Sequence, residues 1–203
     1  MEINFKGAIF DADGTLLNSM YVWDELGERF LRGLNIEPEK NLSEILSQMS
    51  LNESSLYLKN KYSLNMTLDE IFEGILKIIE DFYLYEVELI EGVKNFLENL
   101  KQKNIPMVIA TSGDKELLTS ALKRNEIEKY FEEIFTCDEL NTTKREAKIF
   151  MACSKFLGLK PENIAVFEDA EFAFDTAKKA GFITFLVKED FFINENGFNN
   201  RRK

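Results

Sequence analysis

The residues with the most chemical potential begin at Asp11. The stretch Ala8-Ile9-Phe10-Asp11-Ala12-Asp13-Gly14-Thr15 passes from apolar side chains straight into two carboxylates, a glycine and a hydroxyl. A short apolar run reads as a buried strand. A strand that ends in acids sets them at its carboxyl end, where open α/β sheets bind their ligands. Asp-Gly alone is a common turn signal, and Asp-x-Asp-Gly also opens a calcium loop. That loop needs a glutamate at its twelfth position. Counting from Asp11 the position is Val22, which excludes it.

Two later apolar runs end in the same way. Ile109-Ala110 leads into Thr111-Ser112-Gly113, and Val166-Phe167 into Glu168-Asp169. In a parallel sheet these ends share one edge, which gathers Asp11, Asp13, Thr111, Ser112, Glu168 and Asp169. Each later pair taken alone suits a helix N-cap equally well. Four converging carboxylates repel one another and call for a cation. A hard divalent ion such as Mg²⁺ takes oxygen ligands and keeps room for waters and a substrate phosphate. A phosphoryl group would also need a basic side chain. Lys144, after Asn141-Thr142-Thr143, is the candidate, with a plain solvated lysine as the alternative. The chain has no histidine, which excludes His-dependent nucleophilic triads and the usual zinc sites. Cys137 and Cys153 have no metal spacing and read as buried free thiols.

The elements that must position these residues follow from periodicity. Residues 5–10 form the first strand. Residues 16–88 read as almost pure helix: Trp23, Leu26, Phe30 and Leu34 recur at helical spacing, Asn41 or Ser43 and then Ser54 are possible caps, and Thr67-x-x-Glu70 is a capping box ahead of Ile71, Ile75, Ile79 and Phe82. From Gly92 helices and strands alternate, with strands expected at residues 106–110, 133–136, 163–167 and 182–187. Such alternation implies a parallel sheet covered by helices. The fold expected is therefore α/β: a Rossmann-like core, residues 1–15 and 89–203, with an all-helical domain, residues 16–88, inserted after the first strand. The segment from about Phe191 ends Asn-Asn-Arg-Arg-Lys and is expected to be loosely ordered.

Composition narrows the class. The chain has 203 residues, 45% hydrophobic, with 18 Phe, three Pro and a net charge of −11. That suits a packed domain with a modest insertion and disfavours nucleic acid, whose phosphates want a basic stripe. The N-terminus does not resemble a signal peptide and no apolar run reaches membrane-spanning length. A soluble, cytoplasmic monomer away from membranes is expected.

Together these motifs resemble the haloacid dehalogenase superfamily. Asp11-x-Asp13-Gly-Thr is similar to its first motif, Thr111 after a buried strand to its second, Lys144 in Lys-x4-Ile-Phe to its third, and Val-Phe-Glu168-Asp169 to its fourth. The helical insertion after the first motif resembles the cap of the subgroup that contains β-phosphoglucomutase and small-metabolite phosphatases. The resemblance implies a sheet order 5-4-1-2-3 and Mg²⁺-dependent phosphoryl transfer through an aspartyl-phosphate. It implies Asp11 as nucleophile and Asp13 as general acid and base. Thr111, the Ser112 amide and Lys144 would grip the phosphoryl group. Asp11, Asp13 (through its backbone carbonyl) and Asp169 would hold the metal, with Glu168 just outside it. The substrate implied is a small phosphorylated metabolite. Two departures stand out. The family usually follows its lysine with Pro-x-Pro-Asp, whereas here the run is Lys144-Arg-Glu-Ala-Lys148, which leaves Lys148 as a fallback. The dehalogenase branch carries Tyr where this chain has Asp13, which argues against dehalogenation. A sugar-phosphate mutase is the alternative. That branch uses a histidine twelve residues after the nucleophile, where this chain has Trp23, and its Ser-Arg-Glu-like phosphate motif finds only Ser50-Leu-Asn-Glu53. Trp23 reads equally as a substrate contact or as part of the helical core.

Overall fold

The computed structural model describes residues 4–188 and 190–193. Five strands form one parallel sheet: β1 (Gly7–Phe10), β2 (Met107–Thr111), β3 (Ile134–Thr136), β4 (Ile164–Glu168) and β5 (Ile183–Leu186), in the order β3-β2-β1-β4-β5. Read from the other edge this is 5-4-1-2-3, the order the resemblance implies. Every residue of β1, β2 and β4 is buried, as expected of central strands covered on both faces.

Register sorts the two faces. Phe10, Phe167 and Phe185 are paired across β1, β4 and β5, and their rings stack at 4.6 and 5.0 Å between centroids. Phe96 of helix α5 (Val93–Gln102) meets Phe10 and Phe167 edge-on. On the opposite face Ile9, Val108, Ala110 and Val166 pack with Ile149, Phe150 and Cys153 of α7 (Lys148–Leu157) and with Ala173 and Ala177 of α8 (Glu171–Lys179). Helix α6 (Lys115–Arg124) completes the alternation. Phe191 also belongs to this core: it lies edge-on to Phe167 and Phe185 and is buried. The loose segment expected from Phe191 therefore starts too early. Its remainder, residues 194–203, lies outside the described residues.

Between β1 and α5 come four helices: α1 (Met20–Gly33), α2 (Leu42–Leu46), α3 (Leu51–Lys61) and α4 (Leu68–Asp81), the last continuing into one π-helical turn, Phe82–Glu86. The chain divides into two compact units. One joins the residues up to Asn18 to those from Glu88 onward; the other is Ser19–Val87. The apolar stripe of α1 is Val22, Leu26, Phe30 and Leu31. Trp23 is one residue off it and 48% exposed, so the core reading of Trp23 is wrong. The cap of α3 also differs from expectation. Ser50 accepts from the Glu53 N–H while the Glu53 carboxylate accepts from the Ser50 N–H, and Ser54 is buried inside the helix. The Thr67–Glu70 box at α4 forms as read. Gly74 leaves room for the Phe30 ring: a Cβ there would stand 2.6 Å from it.

Candidate active site

Three strand ends and one loop build the site. After β1 the Asp11 N–H donates to the Phe167 carbonyl at 3.0 Å and extends the ladder by one residue. The chain then folds back. The Ala12 carbonyl accepts from the N–H groups of Thr15, Leu16 and Leu17, and Gly14 takes the left-handed φ of 74° that this turn requires. The turn keeps Asp11 and Asp13 at the sheet edge, with Asp11 buried and Asp13 half-buried.

After β2 the buried Thr111 accepts the Gly113 N–H on its hydroxyl at 2.9 Å. Asp114, not Ser112, caps α6, accepting from the N–H groups of Glu116 and Leu117. Ser112 is therefore free of capping duty; it is exposed, with its hydroxyl 3.5 Å from Cys137 Sγ. A Cβ on Gly113 would stand 3.2 Å from Asp13 Oδ2 and 3.3 Å from Thr111 Oγ1. The loops after β1 and β2 thus meet at Gly113.

Lys144 is drawn inward. It is 5% exposed, and its Nζ lies 2.5 Å from Asp11 Oδ1 and 2.6 Å from Glu168 Oε1. Lys148 points elsewhere, donating to the Asn141 carbonyl at the surface. After β4, neither Glu168 nor Asp169 caps α8; its N-cap is Ala170, with no side-chain capping bond. Carboxylate oxygens of Asp11, Glu168 and Asp169 all lie within 4.8 Å of one another. Glu168, placed just outside the metal by the resemblance, is inside this group, while Asp13 Oδ2 lies beside Gly113.

The electrostatics show strain. Burial raises the Asp11 carboxyl above its usual range, against the opposing pull of Lys144. Burial, and then the charge of Asp11, pushes Glu168 up to about 8. Burial alone would lower Lys144, yet the charges of Asp11 and Glu168 hold it above its ordinary value. One cation does not balance three carboxylates in a desolvated site. Glu168 Oε2 is moreover buried without a hydrogen-bond partner among the described residues. An all-oxygen donor set with an orphaned carboxylate oxygen fits a hard divalent cation.

The deciding comparison is with known families. The model of the haloacid dehalogenase-like hydrolases matches residues 8–187, which takes in every residue just described. The chain belongs to the haloacid dehalogenase-like hydrolase family. Among the relatives of this hydrolase, the phosphorylated carbohydrates phosphatase of Thermotoga maritima is 24% identical over 87% of this chain and 82% of its own. The fructose-1-phosphate phosphatase YqaB of Escherichia coli is 26% identical over 87% and 93%. A structure provisionally named β-phosphoglucomutase, from Thermotoga maritima, superposes with a TM-score of 0.82 at 23% identity, over 90% of this chain and 85% of that one. YfnB of Bacillus subtilis, solved bound to magnesium, gives 0.74 at 16% identity, over 95% and 92%. No helix among the described residues is long and apolar enough to cross a membrane.

Proposed function

We propose that this hydrolase is a Mg²⁺-dependent phosphatase of a small phosphorylated metabolite, working through an aspartyl-phosphate on Asp11. The observation that carries the reading is the buried Lys144, shared between Asp11 and Glu168 beside a three-carboxylate cluster. An arrangement that concentrates negative charge around one lysine suits a site that receives a divalent cation and an anionic group together. Phosphatases among the relatives support the same choice.

Each residue then has a task. An Asp11 oxygen attacks phosphorus, and the bond from phosphorus to the leaving alkoxide breaks. Asp13 delivers the proton that the alkoxide takes up. Asp13, now a carboxylate, accepts a proton from the water that cleaves the acyl phosphate, which returns Asp11 and releases inorganic phosphate. Lys144, the Thr111 hydroxyl and the Ser112 amide hold the phosphoryl oxygens as charge shifts onto them. The side chains of Asp11 and Asp169 and the Asp13 carbonyl are the residues that would hold Mg²⁺. When bound, the cation offsets the repulsion between the Asp11 carboxylate and the phosphoryl group. The helical unit, inserted directly after the Asp11–Asp13 turn, is read as the cap that selects the substrate.

A mutase must keep its phosphoenzyme from water until the intermediate returns. The chain has no histidine for the gating role. Trp23 stands at the corresponding position, and the Ser50–Glu53 pair is occupied in capping α3. Both features favour water as the phosphoryl acceptor. The test is a panel of phosphorylated metabolites with Mg²⁺ and with chelator, and β-glucose 1-phosphate with a bisphosphate primer. Metal-dependent phosphate release is expected. Glucose 6-phosphate forming faster than free phosphate would make the protein a mutase.

A further inference from the structure

We propose that Cys137 is a positioning residue for the phosphate grip, tying Thr111 and Ser112 to the loop that delivers Lys144. The proposal rests on the phosphatase reading. Cys137 follows β3 directly and makes three attachments. Its N–H donates to the Thr111 carbonyl at 2.9 Å, which carries the β2–β3 ladder one residue past Thr136. Its Sγ lies 3.5 Å from Ser112 Oγ. Its carbonyl accepts the Thr142 N–H at 3.0 Å, two residues before Lys144. One residue therefore touches both chain segments assigned to the phosphoryl oxygens.

The thiol is well placed to hold rather than to react. Cys137 is 4% exposed and packs in the cluster that includes Val108, Ala110, Ile149 and Phe150. Ser112 by contrast is exposed, at the head of a short loop. A buried neighbour that cannot swing restricts Ser112 and hence the orientation of its peptide N–H. A second link brackets the same loop: Lys115, the first residue of α6, pairs with Glu139 at 3.0 Å, and the Thr136 hydroxyl donates to Glu139 at 3.2 Å. The loop from Ser112 to Asp114 is thus attached at both ends to the turn after β3. Donors held in place before charge develops are what electrostatic stabilisation requires.

The test is a double-mutant cycle on Ser112→Ala, Cys137→Ala and the double variant. Inorganic phosphate affinity in Mg²⁺ is measured by calorimetry and kcat/KM on an aryl phosphate. Cys137→Ala keeps the two backbone attachments and removes only the thiol. It is expected to weaken phosphate binding and lower kcat/KM by about threefold to tenfold, the worth of one modest hydrogen bond, with the melting temperature little changed. Added to Ser112→Ala it should cost nothing further, because the thiol acts through Ser112. Cys137→Val, which fills the space without a polar atom, carries the same expectation and replaces the alanine variant if that fails to fold. Wild-type phosphate affinity in both cysteine variants, or effects that add in full, would overturn the proposal. Calorimetry reads phosphate binding without turnover. A wild type that binds phosphate but hydrolyses no ester therefore sinks the phosphatase reading, and leaves the link to be judged by the cycle.

Discussion

The α/β unit and the helical unit treat charge in opposite ways. Among the described residues the buried charged side chains are Asp11, Lys144 and Glu168, all in the α/β unit and all in mutual contact through Lys144. In the helical unit the charges stay wet. Lys77 with Glu80 and Asp81, Lys61 with Glu39, and Arg32 with Glu28 are surface pairs, worth little each. The buried polar residues there are serines: Ser19, Ser54 and Ser55. Burying two carboxylates around one lysine costs stability that a scaffold has no reason to give up. The helical unit buries no charged side chain among the described residues, so the buried cluster marks where chemistry, not stability, chose the residues.

The largest effect should come from Asp11→Asn. The amide removes a nucleophile while keeping its shape, and phosphatase turnover should fall by roughly four orders of magnitude or more. The melting temperature should hardly move. Substantial turnover from a clean preparation would refute the aspartyl-phosphate and erase the functional side of the contrast. Next comes Lys144→Met, which removes the cation and leaves Asp11 and Glu168 facing each other. Loss of the charge should lower kcat/KM by about 10² to 10³. The metal-free protein should also lose on the order of 3 kcal/mol of stability, because the carboxylates stay buried without a partner. Mg²⁺ should restore part of that loss. An unchanged melting temperature in chelator would show that Lys144 is not needed to keep the cluster buried.

The α/β unit was readable because central strands of a parallel sheet are buried on both faces. Ile164–Phe167 and Met107–Ala110 are unbroken apolar runs, and the first polar residue after each run falls at the same edge. What sequence could not supply was contact between runs. Lys144 and Lys148 are equivalent as letters; only the loop's path sends Lys144 to Asp11 and leaves Lys148 on the Asn141 carbonyl. Glu168 and Asp169 are adjacent acids, and only side-chain direction makes Glu168 the lysine's partner. Two of the attachments of Cys137, to Thr111 and Ser112, cross from the end of β3 to the end of β2 and have no local signature. In the helical unit the misses were small rotations. Val22, Leu26 and Phe30 hold the true stripe of α1, one residue away from Trp23. Ser50-x-x-Glu53 carried a legible capping-box signal, which would have put the start of α3 at Ser50 and not at Ser54.

A third prediction asks whether the two units differ in kind. Ile75 is buried in α4 beside Ile71, and Ile75→Ala should cost about 2 to 5 kcal/mol through lost burial and a cavity. Chemical denaturation would measure the loss. Mg²⁺ affinity of the folded protein, read by calorimetry, should be unchanged, since the acids that would bind it belong to the other unit. A weakened affinity would mean that the units are energetically coupled.

The smallest effect concerns pH, and the two units should weaken at opposite ends of the scale. In the helical unit Glu53 is held below its usual range by the Ser50 hydroxyl and then the Ser50 N–H, and Glu70 by the Thr67 N–H and then its hydroxyl. A carboxyl whose folded pKa is depressed adds stability that is present above its unfolded pKa and is lost as pH falls through the folded value. In the α/β unit burial pushes the Cys153 thiol up to about 12 from 9.0. The unfolded chain then ionises first, so stability falls as pH rises above 9.0. The helical unit's capping boxes thus weaken toward acid, and the buried thiol weakens the α/β unit toward alkali. The double variant Glu53→Gln, Glu70→Gln should melt a little lower than the parent at neutral pH, and the difference should shrink as pH falls below 4.5 and vanish once pH has passed the depressed folded values, where the parent's carboxyls are protonated as well. Cys153→Ala should instead flatten the alkaline side of the melting curve. A gap between parent and Gln variant that persists undiminished into acid would show that hydrogen-bond geometry, and not the carboxylate charge, is what the capping boxes contribute.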